Sequence, residues 1–199
     1  MKYSKIILVG YRLTGKSTIG KLLAEKLNFT LYNIDEEIIK KAKKPVSQIT
    51  QNGSNFGLFR KYELDVLKEL VKKENIVISA GGGLGVNNFT FAGRKTYGSI
   101  NRDVIKRERN MLSVLLSTEE AILEKRLLEH YEEKGSEGIS MLTRNKEIET
   151  EELITKFFNL YESRKEDYKK MGDLKLDNSY PENTQELLQT IIDKFNDRQ

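Results

Sequence analysis

The stretch Gly10–Thr18, GYRLTGKST, has the form glycine, four residues, Gly-Lys-Ser, which is the pattern of a phosphate-binding loop. Such a loop surrounds a polyphosphate with backbone N–H groups, and glycines at both ends, Gly10 and Gly15, permit the dihedral angles this requires. Lys16 then brings a positive charge to the β- and γ-phosphates, and the Ser17 hydroxyl can ligate Mg²⁺. The motif therefore predicts binding of a nucleoside triphosphate with its metal ion.

Both sides of this stretch meet the context that the motif needs, a strand before it and a helix after it. Residues 5–9, KIILV, are an apolar, β-branched run typical of buried parallel strands. Beyond Lys16 the apolar residues recur at helical spacing, so the helix would direct its dipole at the phosphates. A glycine-rich turn without a ligand fits this flanking pattern less well. The sequence predicts nucleotide contacts from Gly10, Leu13, Thr14, Gly15, Lys16, Ser17 and Thr18.

Length and composition bound the class of protein. At 199 residues the chain fits one domain, residues 1–199, and can bury a hydrophobic core. The absence of cysteine excludes a disulfide framework and a thiolate metal site, and makes a cytoplasmic location the default expectation. Only a five-residue apolar run precedes the glycine-rich loop, so we expect neither a signal peptide nor a membrane span.

The distribution of charge argues against a nucleic-acid partner. The net charge is +4, but 34 basic and 30 acidic side chains are interspersed, as on an ordinary solvated surface. The lysine-rich segment 40–44 contains no aromatic residue and suits the C-terminus of a helix. The single histidine, His130, lies among charged residues and is interpreted as an exposed group that only titrates. We expect a monomer that binds small molecules, with no nucleic acid and no membrane.

Strand and helix patterns alternate along the chain. After residues 5–9, strands are predicted at 29–34, 75–80, 111–116 and 173–177. Helices are predicted from near residue 16, at 36–43, 55–73 and 101–110, after residue 120, at 150–170 and at 183–195, with a loop at 84–99. The alternation predicts an α/β fold with three αβα layers around a five-stranded parallel sheet.

The ends of the second and third predicted strands carry candidate site residues. Asp35 follows strand two, and open α/β sheets bind ligands at the carboxyl ends of their strands. Aspartate is equally common as a helix N-cap, so the position alone leaves both roles open. Gly81–Gly83 follow strand three directly, which indicates a close backbone approach, with a plain flexible turn as the alternative.

The segment from His130 to about Lys146 is polar, contains Gly135 and Gly138, and shows little periodicity. Irregular polar segments of this kind often cover active sites and move during turnover. We therefore predict a mobile lid at about residues 130–147.

Four features stand in a fixed order: GYRLTGKST, Asp35, Phe59-Arg60-x-x-Glu63, and Gly81–Gly83. Their order and spacing resemble the shikimate kinase family over nearly the whole chain, most strongly from Lys5 to Gly83. Members share a nucleoside-monophosphate-kinase-like P-loop fold with sheet order 2-3-1-4-5, and they transfer the γ-phosphoryl group of ATP to the 3-hydroxyl of shikimate. The resemblance implies ATP and shikimate as ligands and Mg²⁺ as cofactor.

The resemblance also implies roles for individual residues. Asp35 would hold the shikimate hydroxyls and orient or deprotonate the nucleophile, and Gly81–Gly83 would line the substrate pocket. Arg60 and Arg164 would bind the substrate carboxylate, and Arg126 would pack on adenine. Two guanidinium groups suit bidentate capture of a carboxylate. From the residues alone, surface ion pairs are alternatives for both arginines: Arg60 with Glu63, and Arg164 with Glu162 or Asp167.

Two positions depart from the family pattern. The family usually has Asp-x-Asp after strand two, whereas this chain has Asn33-Ile34-Asp35, so an amide replaces a carboxylate near Mg²⁺. The family's lid motif, an arginine followed by proline and two leucines, does not occur in this sequence. Ser140–Thr143 could replace that stretch without an arginine, or Arg144 could serve, being close to the expected place. An arginine there would stabilise charge on the transferring phosphoryl group.

The leading hypothesis is an ATP-dependent kinase of shikimate, with Lys16, Asp35 and Arg144 as catalytic residues and Ser17 as the metal ligand. A second hypothesis keeps the kinase but changes the acceptor to another hydroxy acid, a sugar acid or a nucleotide, because the loops around the pocket are altered. A third is a nucleotide-binding regulatory protein without catalysis, motivated by Asn33 and the unassigned lid arginine.

Overall fold

A five-stranded parallel sheet forms the centre of this computed structural model, which describes residues 3–51, 55–87, 90–91, 95–144 and 146–197. Its strands are β1 (Lys5–Val9), β2 (Thr30–Asn33), β3 (Ile76–Ser79), β6 (Met111–Ser117) and β7 (Leu174–Asp177). Two further strands, β4 (Thr90–Phe91) and β5 (Lys95–Thr96), pair antiparallel with each other outside this sheet. The order across the sheet is β2-β3-β1-β6-β7, which confirms the predicted order 2-3-1-4-5 for its five strands.

The register of the central strands brings three chain segments to one edge of the sheet. Leu8 of β1 lies opposite Ser79 of β3, and Ser79 lies opposite Asn33 of β2. All four residues of β3 and all five of β1 are buried, as expected for strands covered on both faces. The segments that follow β1, β2 and β3 therefore leave the sheet side by side, at the carboxyl ends where open α/β sheets bind ligands.

Helices cover both faces of the sheet. They are α1 (Lys16–Leu27), α2 (Ile34–Ala42), α3 (Val46–Ile49), α4 (Gly57–Leu70), α5 (Tyr97–Arg107), α6 (Glu120–Gly138), α7 (Ser140–Thr143), α8 (Thr150–Lys169) and α9 (Thr184–Asn196), with a 3₁₀ turn at Pro181–Asn183. Ile6 and Leu8 of β1 pack in one core with α1 and α9. Ile7 and Val9 pack in the other core with α2, α4, α6 and α8, because successive strand residues point to opposite faces.

The region predicted as loop at 84–99 is more ordered than its polar composition indicates. It contains the β4–β5 pair, and α5 begins at Tyr97, four residues before the predicted helix start at residue 101. Thr96 is the N-cap, and its side chain accepts a hydrogen bond from the Ser99 N–H at 3.1 Å. A threonine cap separated from any long apolar run was not recognisable as a helix start. Residues 88, 89 and 92–94 lie outside the described part of the chain.

The predicted lid is largely helical. α6 continues to Gly138 with a break at Gly135, where φ is 62° and ψ is −160°, and α7 follows. Ile139 and Leu142 are buried in the core that contains α8. The expectation of an irregular segment is therefore wrong for the described residues, since two apolar side chains anchor an otherwise polar stretch. Its mobility stays a prediction. No helix in the described ranges is both long and apolar enough to cross a membrane.

Candidate active site

The phosphate loop between β1 and α1 has the backbone of an anion cradle. Positive φ angles occur at Gly10 (143°), Leu13 (64°) and Gly15 (83°), and Gly15 is the N-cap of α1. A Cβ atom on Gly10 would lie 2.3 Å from the Leu116 carbonyl oxygen, so only glycine fits at the loop's entrance. Ser17 and Thr18 are exposed in the first turn of α1. The loop and the helix terminus together offer N–H groups and a hydroxyl to an anion.

Lys16 is the buried cation of this loop. Its Nζ atom donates to the Tyr11 carbonyl oxygen at 2.5 Å, and Thr14 Oγ1 donates to the same oxygen at 2.8 Å. Burial lowers the pKa of Lys16 to about 8; the nearby Asp35 carboxylate opposes this shift and the Arg12 guanidinium adds to it. Phosphate oxygens beside this ammonium would favour its charged form.

A cavity of about 500 Å³ opens beside the loop. Leu13, Gly15, Ser17 and Thr18, all predicted nucleotide contacts, lie on its wall together with Arg126. The guanidinium of Arg126 is held by four acceptors: Nη1 donates to Leu13 O (3.0 Å) and Thr118 Oγ1 (3.3 Å), and Nη2 donates to Asn178 O (2.8 Å) and Ser179 O (3.1 Å). These contacts fix the plane of the group against the phosphate loop.

The turn after β7 and the middle of α6 complete this cavity. Asn178 Nδ2 donates to the Thr14 carbonyl at 2.9 Å, which ties the turn to the phosphate loop. Pro181 and His130 also line the cavity. The interpretation of His130 as an exposed group is wrong: it is half-buried on the wall of this cavity, because α6 directs it toward the phosphate loop.

A second cavity, of about 180 Å³, lies on the other side of the phosphate loop. It is lined by all the residues predicted to bind the substrate: Asp35, Arg60, Gly81, Gly82, Gly83 and Arg164. Two further charged residues, Arg12 and Glu63, lie on its wall, as do the apolar side chains of Phe56 and Phe59. The cavity thus combines a cationic lining with aromatic surface, which suits a small anion that carries a ring.

Arg60 and Glu63 form a buried ion pair on α4. Arg60 Nη1 lies 2.9 and 2.8 Å from the two carboxylate oxygens of Glu63, and the residues are 3% and 0% exposed. Burial raises the pKa of Glu63, and the charge and hydrogen bonds of Arg60 oppose the rise. A Cβ atom on Gly83 would lie 2.1 Å from Arg60 Nη2. The ion pair proposed as a surface alternative therefore exists, but it is buried and faces the cavity.

Helix α8 contacts the glycine turn through Arg164 and Tyr168. Arg164 Nη1 donates to the Gly82 carbonyl at 3.0 Å, and Tyr168 Oη donates to the same oxygen at 2.5 Å. The phosphate loop contacts α8 as well, because Tyr11 Oη donates to the Phe157 carbonyl at 2.9 Å. The Tyr11 ring lies 4.9, 5.1 and 6.1 Å, centroid to centroid, from Phe157, Tyr161 and Tyr168.

Asp35 lies in the first turn of α2, on the wall of the second cavity. Asn33 is the N-cap of this helix, and its side chain accepts a hydrogen bond from the Asp35 N–H at 3.0 Å. The interpretation of Asp35 as the N-cap is therefore wrong. Its carboxylate lines the second cavity, where a Cβ atom on Gly81 would lie 2.8 Å from Oδ1. Burial raises the pKa of Asp35, and the charges of Lys16, Arg60 and Arg12 oppose the rise.

Comparison with known proteins agrees with this geometry. The family profile described as "Shikimate kinase" matches residues 12–196, which is more than half of the chain. The chain belongs to the shikimate kinase family. The match includes both cavities and all the predicted site residues beyond Gly10.

Relatives within the shikimate kinase family are similar in sequence and in fold. The curated shikimate kinase of Aquifex aeolicus is 47% identical over 83 residues, which cover 42% of this chain and 49% of that protein. The aligned part of the chain thus spans about half the length of such curated relatives. The crystal structure of the Aquifex aeolicus shikimate kinase matches with a TM-score of 0.67 and 29% identity over 94% of each chain. The shikimate kinase from Acinetobacter baumannii in complex with shikimate matches with a TM-score of 0.74 and 25% identity, over 96% of this chain and 94% of that one.

Two arginines differ from the sequence prediction: Arg144 lies apart from the other predicted site residues, and Arg12, which was not predicted, lines the smaller cavity. Arg144 is exposed with φ 54°, and it is not among the described residues that line either cavity. The sequence analysis did not identify Arg12, because the motif leaves the residue type at this position of the phosphate loop undefined. A basic residue directly beside Tyr11 in a loop that binds anions was the available signal.

Proposed function

We propose that this chain is an ATP-dependent kinase that phosphorylates the 3-hydroxyl of shikimate, giving shikimate 3-phosphate and ADP. The observation that carries the proposal is the position of the phosphate loop between two cavities: Leu13 lines the larger one, and its neighbour Arg12 lines the smaller. A donor on one side and an acceptor on the other would meet at Lys16 and Asp35. Membership of the family and the shikimate-bound relative from Acinetobacter baumannii support this acceptor.

In the larger cavity, the loop amides and Lys16 bind the phosphates of ATP, and Arg126 offers its flat face to the base. Ser17 fits as a ligand for Mg²⁺, because its hydroxyl is exposed in the first turn of α1 on the cavity wall. When bound, Mg²⁺ neutralises charge on the β- and γ-phosphates. Asn33, the residue that replaces a family aspartate, uses its side chain as the cap of α2.

In the smaller cavity, Arg60 and Arg164 bind the acceptor carboxylate, and Glu63 holds Arg60 in place through the buried ion pair. Asp35 orients the acceptor hydroxyl and accepts its proton. The hydroxyl oxygen forms a bond to the γ-phosphorus, the bond from that phosphorus to the bridging oxygen breaks, and its electron pair remains on ADP. Residues 130–147 form the proposed lid, which would exclude water and so prevent hydrolysis of ATP.

The volume of the smaller cavity favours a small hydroxy acid over a nucleotide as acceptor. About 180 Å³ is much less than the 500 Å³ on the nucleotide side. Glu63 neutralises Arg60 there, and the guanidinium groups of Arg12 and Arg164 leave the lining cationic. A cationic lining recognises an anionic acceptor.

The test is ADP release from MgATP with shikimate, without it, and with Lys16→Ala as control. We expect shikimate-dependent ADP release that the control abolishes, and a ³¹P resonance of a phosphate monoester in the product. ATP binding without stimulation by shikimate would overturn the shikimate assignment, and a panel of sugar acids would then identify the acceptor. Binding without turnover on any acid would favour the regulatory hypothesis.

A further inference from the structure

The proposed mechanism leaves one charged group of the acceptor cavity without a role, the guanidinium of Arg12. Its Nη1 atom is buried, and no hydrogen-bond acceptor lies within reach of it in the described part of the chain. The side chain lies on the wall of the acceptor cavity, in electrostatic contact with Asp35 and Arg164. A buried guanidinium N–H without an acceptor is costly, which indicates that a ligand supplies the acceptor.

The other charges of the site have nearer partners. Arg60 is bound to Glu63 at 2.8 Å. The charge of Asp35 raises the pKa of Lys16. Among the neighbouring cations, Lys16 has the largest effect in lowering the pKa of Asp35. Arg12 shares Asp35 with that lysine and has no carboxylate of its own within hydrogen-bond distance among the described residues. Arg164 donates to the Gly82 carbonyl. Of the guanidinium groups that line this cavity, other than the ion-paired Arg60, Arg12 is therefore the one in electrostatic contact with Asp35.

We propose that Arg12 contacts the phosphoryl group while it passes from the nucleotide to the acceptor, and that Arg12 is a catalytic residue of this protein. The inference rests on the proposed function, since it concerns the same transfer. It gives to a residue of the phosphate loop the role that sequence reasoning had assigned to Arg144.

The position of Arg12 in the chain favours the phosphoryl group over the acceptor carboxylate. Its backbone belongs to the phosphate loop, and its N atom lies 3.2 Å from the position of a Cβ on Gly82. Arg60 and Arg164 already converge beside Gly83 and Gly82, where a carboxylate would bind. Arg12 starts from the donor side of the cavity and reaches the region of Asp35, where the acceptor hydroxyl would lie.

The transfer brings the negative charge of the phosphoryl group into the acceptor cavity, where a cation stabilises it. The acceptor arrives with one carboxylate charge, and the product also carries a phosphate group with about two further negative charges at neutral pH. During transfer the phosphorus–oxygen bond to ADP breaks with its electron pair on ADP, and the acceptor oxygen forms the new bond. Arg12 would donate hydrogen bonds to the equatorial phosphoryl oxygens throughout and would exchange no proton, because a guanidinium stays protonated.

Arg12→Met tests the proposal, since methionine keeps the unbranched apolar stem but removes the charge and the donors. We expect kcat to fall by about 10²–10³-fold, as for other single groups that stabilise transition-state charge. The dissociation constant of shikimate should change less than about threefold, whereas that of shikimate 3-phosphate should rise about tenfold or more, since only the product contains the phosphate. The affinity for MgADP and the melting temperature establish that the variant is folded with an intact loop.

Two further variants complete the design. Arg12→Lys keeps a charge without the forked geometry, so its kcat should lie between those of wild type and Arg12→Met. It carries the test alone if the methionine variant does not fold. Arg107→Met, at an exposed position near the end of α5, removes an arginine far from the site and should leave every constant unchanged.

Three outcomes would overturn the proposal. Wild-type kcat and wild-type affinity for shikimate 3-phosphate in Arg12→Met would show that Arg12 does not contact the phosphoryl group. A rise in the dissociation constants of shikimate and its 3-phosphate by the same factor, at unchanged kcat, makes Arg12 a carboxylate ligand. Wild-type protein that shows no shikimate-dependent ADP release removes the proposed function and this inference together, whereas the first two outcomes leave the proposed function in place.

Discussion

At the scale of single residues, Lys16 shows how the fold prepares a group for its ligand. The lysine is only 8% exposed and donates to a backbone carbonyl of its own loop. Burial lowers its pKa to about 8, from an ordinary value above 10. Lys16 therefore loses its proton near pH 8, where an exposed lysine would stay protonated.

This conditional charge predicts proton uptake on nucleotide binding above pH 8. Phosphate oxygens raise the pKa of Lys16 in the complex, so between pH 8 and that higher value the complex holds a proton that the free protein lacks. The affinity for MgADP should then fall as pH rises, by up to about tenfold per pH unit. Titration calorimetry at pH 8.5, in two buffers of different ionisation enthalpy, measures the uptake directly.

The matched control for that measurement is Lys16→Arg, which keeps a positive charge that does not titrate in this range. It should bind MgADP without proton uptake at pH 8.5, and wild type should show none at pH 6.5. Equal heats in both buffers for wild type at pH 8.5 would contradict the assignment of a low pKa to Lys16.

Sequence reasoning identified two kinds of site residue: those of the phosphate loop and the strand ends, which spacing predicts, and the arginines Arg60, Arg126 and Arg164, which the family resemblance implies. Asp35, Arg60 and Arg164 line one cavity as expected from the resemblance. Arg12 received no role, and Asn33 was noted only as the replacement for a family carboxylate, because the direction of a side chain depends on packing that its neighbours in sequence do not encode. Asn33 could only be recognised as a cap once the bounds of α2 were known.

At the scale of elements, the turn Gly81–Gly83 is where three segments of the chain meet. Each glycine lies under a different charged residue: Gly81 under Asp35, Gly82 against the backbone of Arg12, and Gly83 under Arg60. Any side chain on this turn would occupy the space of a group that lines the acceptor cavity. The turn thus forms the floor of the cavity at the end of β3, where it contacts Arg60 of α4 and Arg164 of α8.

Gly83→Ala should weaken acceptor binding more than it affects catalysis. The added Cβ would lie 2.1 Å from Arg60 Nη2 and 2.6 Å from Cζ, so the guanidinium must move and strain its bond to Glu63. We expect KM for shikimate to rise about tenfold or more, as when a charge-assisted contact is lost, with a smaller change in kcat. Gly57→Ala at the start of α4, where the nearest atom would lie 3.3 Å away, is the control and should behave as wild type. An unchanged KM in Gly83→Ala would argue against Arg60 as the carboxylate ligand.

The elements themselves were predictable to different degrees. All five sheet strands and α8 were predicted within about two residues, because their apolar periodicity is continuous. The helical segment after His130 was not, since its anchoring depends on two isolated apolar residues, Ile139 and Leu142, that are buried in the core. The prediction of where α5 begins was wrong for a similar reason, since its N-cap is a single threonine in a polar stretch.

At the scale of the whole molecule, the two ends of the sheet carry different buried charges: a structural lysine at the amino ends of the strands and the proposed ligand-binding groups at the carboxyl ends. Lys5, at the amino end of β1, is 2% exposed; its Nζ donates to the Val71 carbonyl at 2.7 Å and lies 3.3 Å from Glu108. Both proposed ligand cavities lie at the opposite, carboxyl ends of the strands. The two kinds of buried charge are therefore a strand length apart.

Lys5→Met should lower stability without changing activity. The substitution leaves the buried Val71 carbonyl without its donor, which costs about 1–3 kcal/mol in the free energy of unfolding. Urea denaturation measures that loss, and kcat and KM for both ligands should stay at wild-type values. A change in either kinetic constant at a temperature where the variant is fully folded would show that the two ends of the sheet are coupled.

The contacts of Tyr11 have a consequence for how the protein meets its ligands. Through the hydroxyl bond to Phe157 and three ring contacts, the phosphate loop and α8 form one packed block, and Tyr168 of the same helix reaches the glycine turn. The loop that would hold the donor and the arginine that would hold the acceptor are thus set at a fixed separation when the chain folds. Binding then costs little conformational entropy in the phosphate loop and α8, and the two reactants are held close together by groups that are already in place.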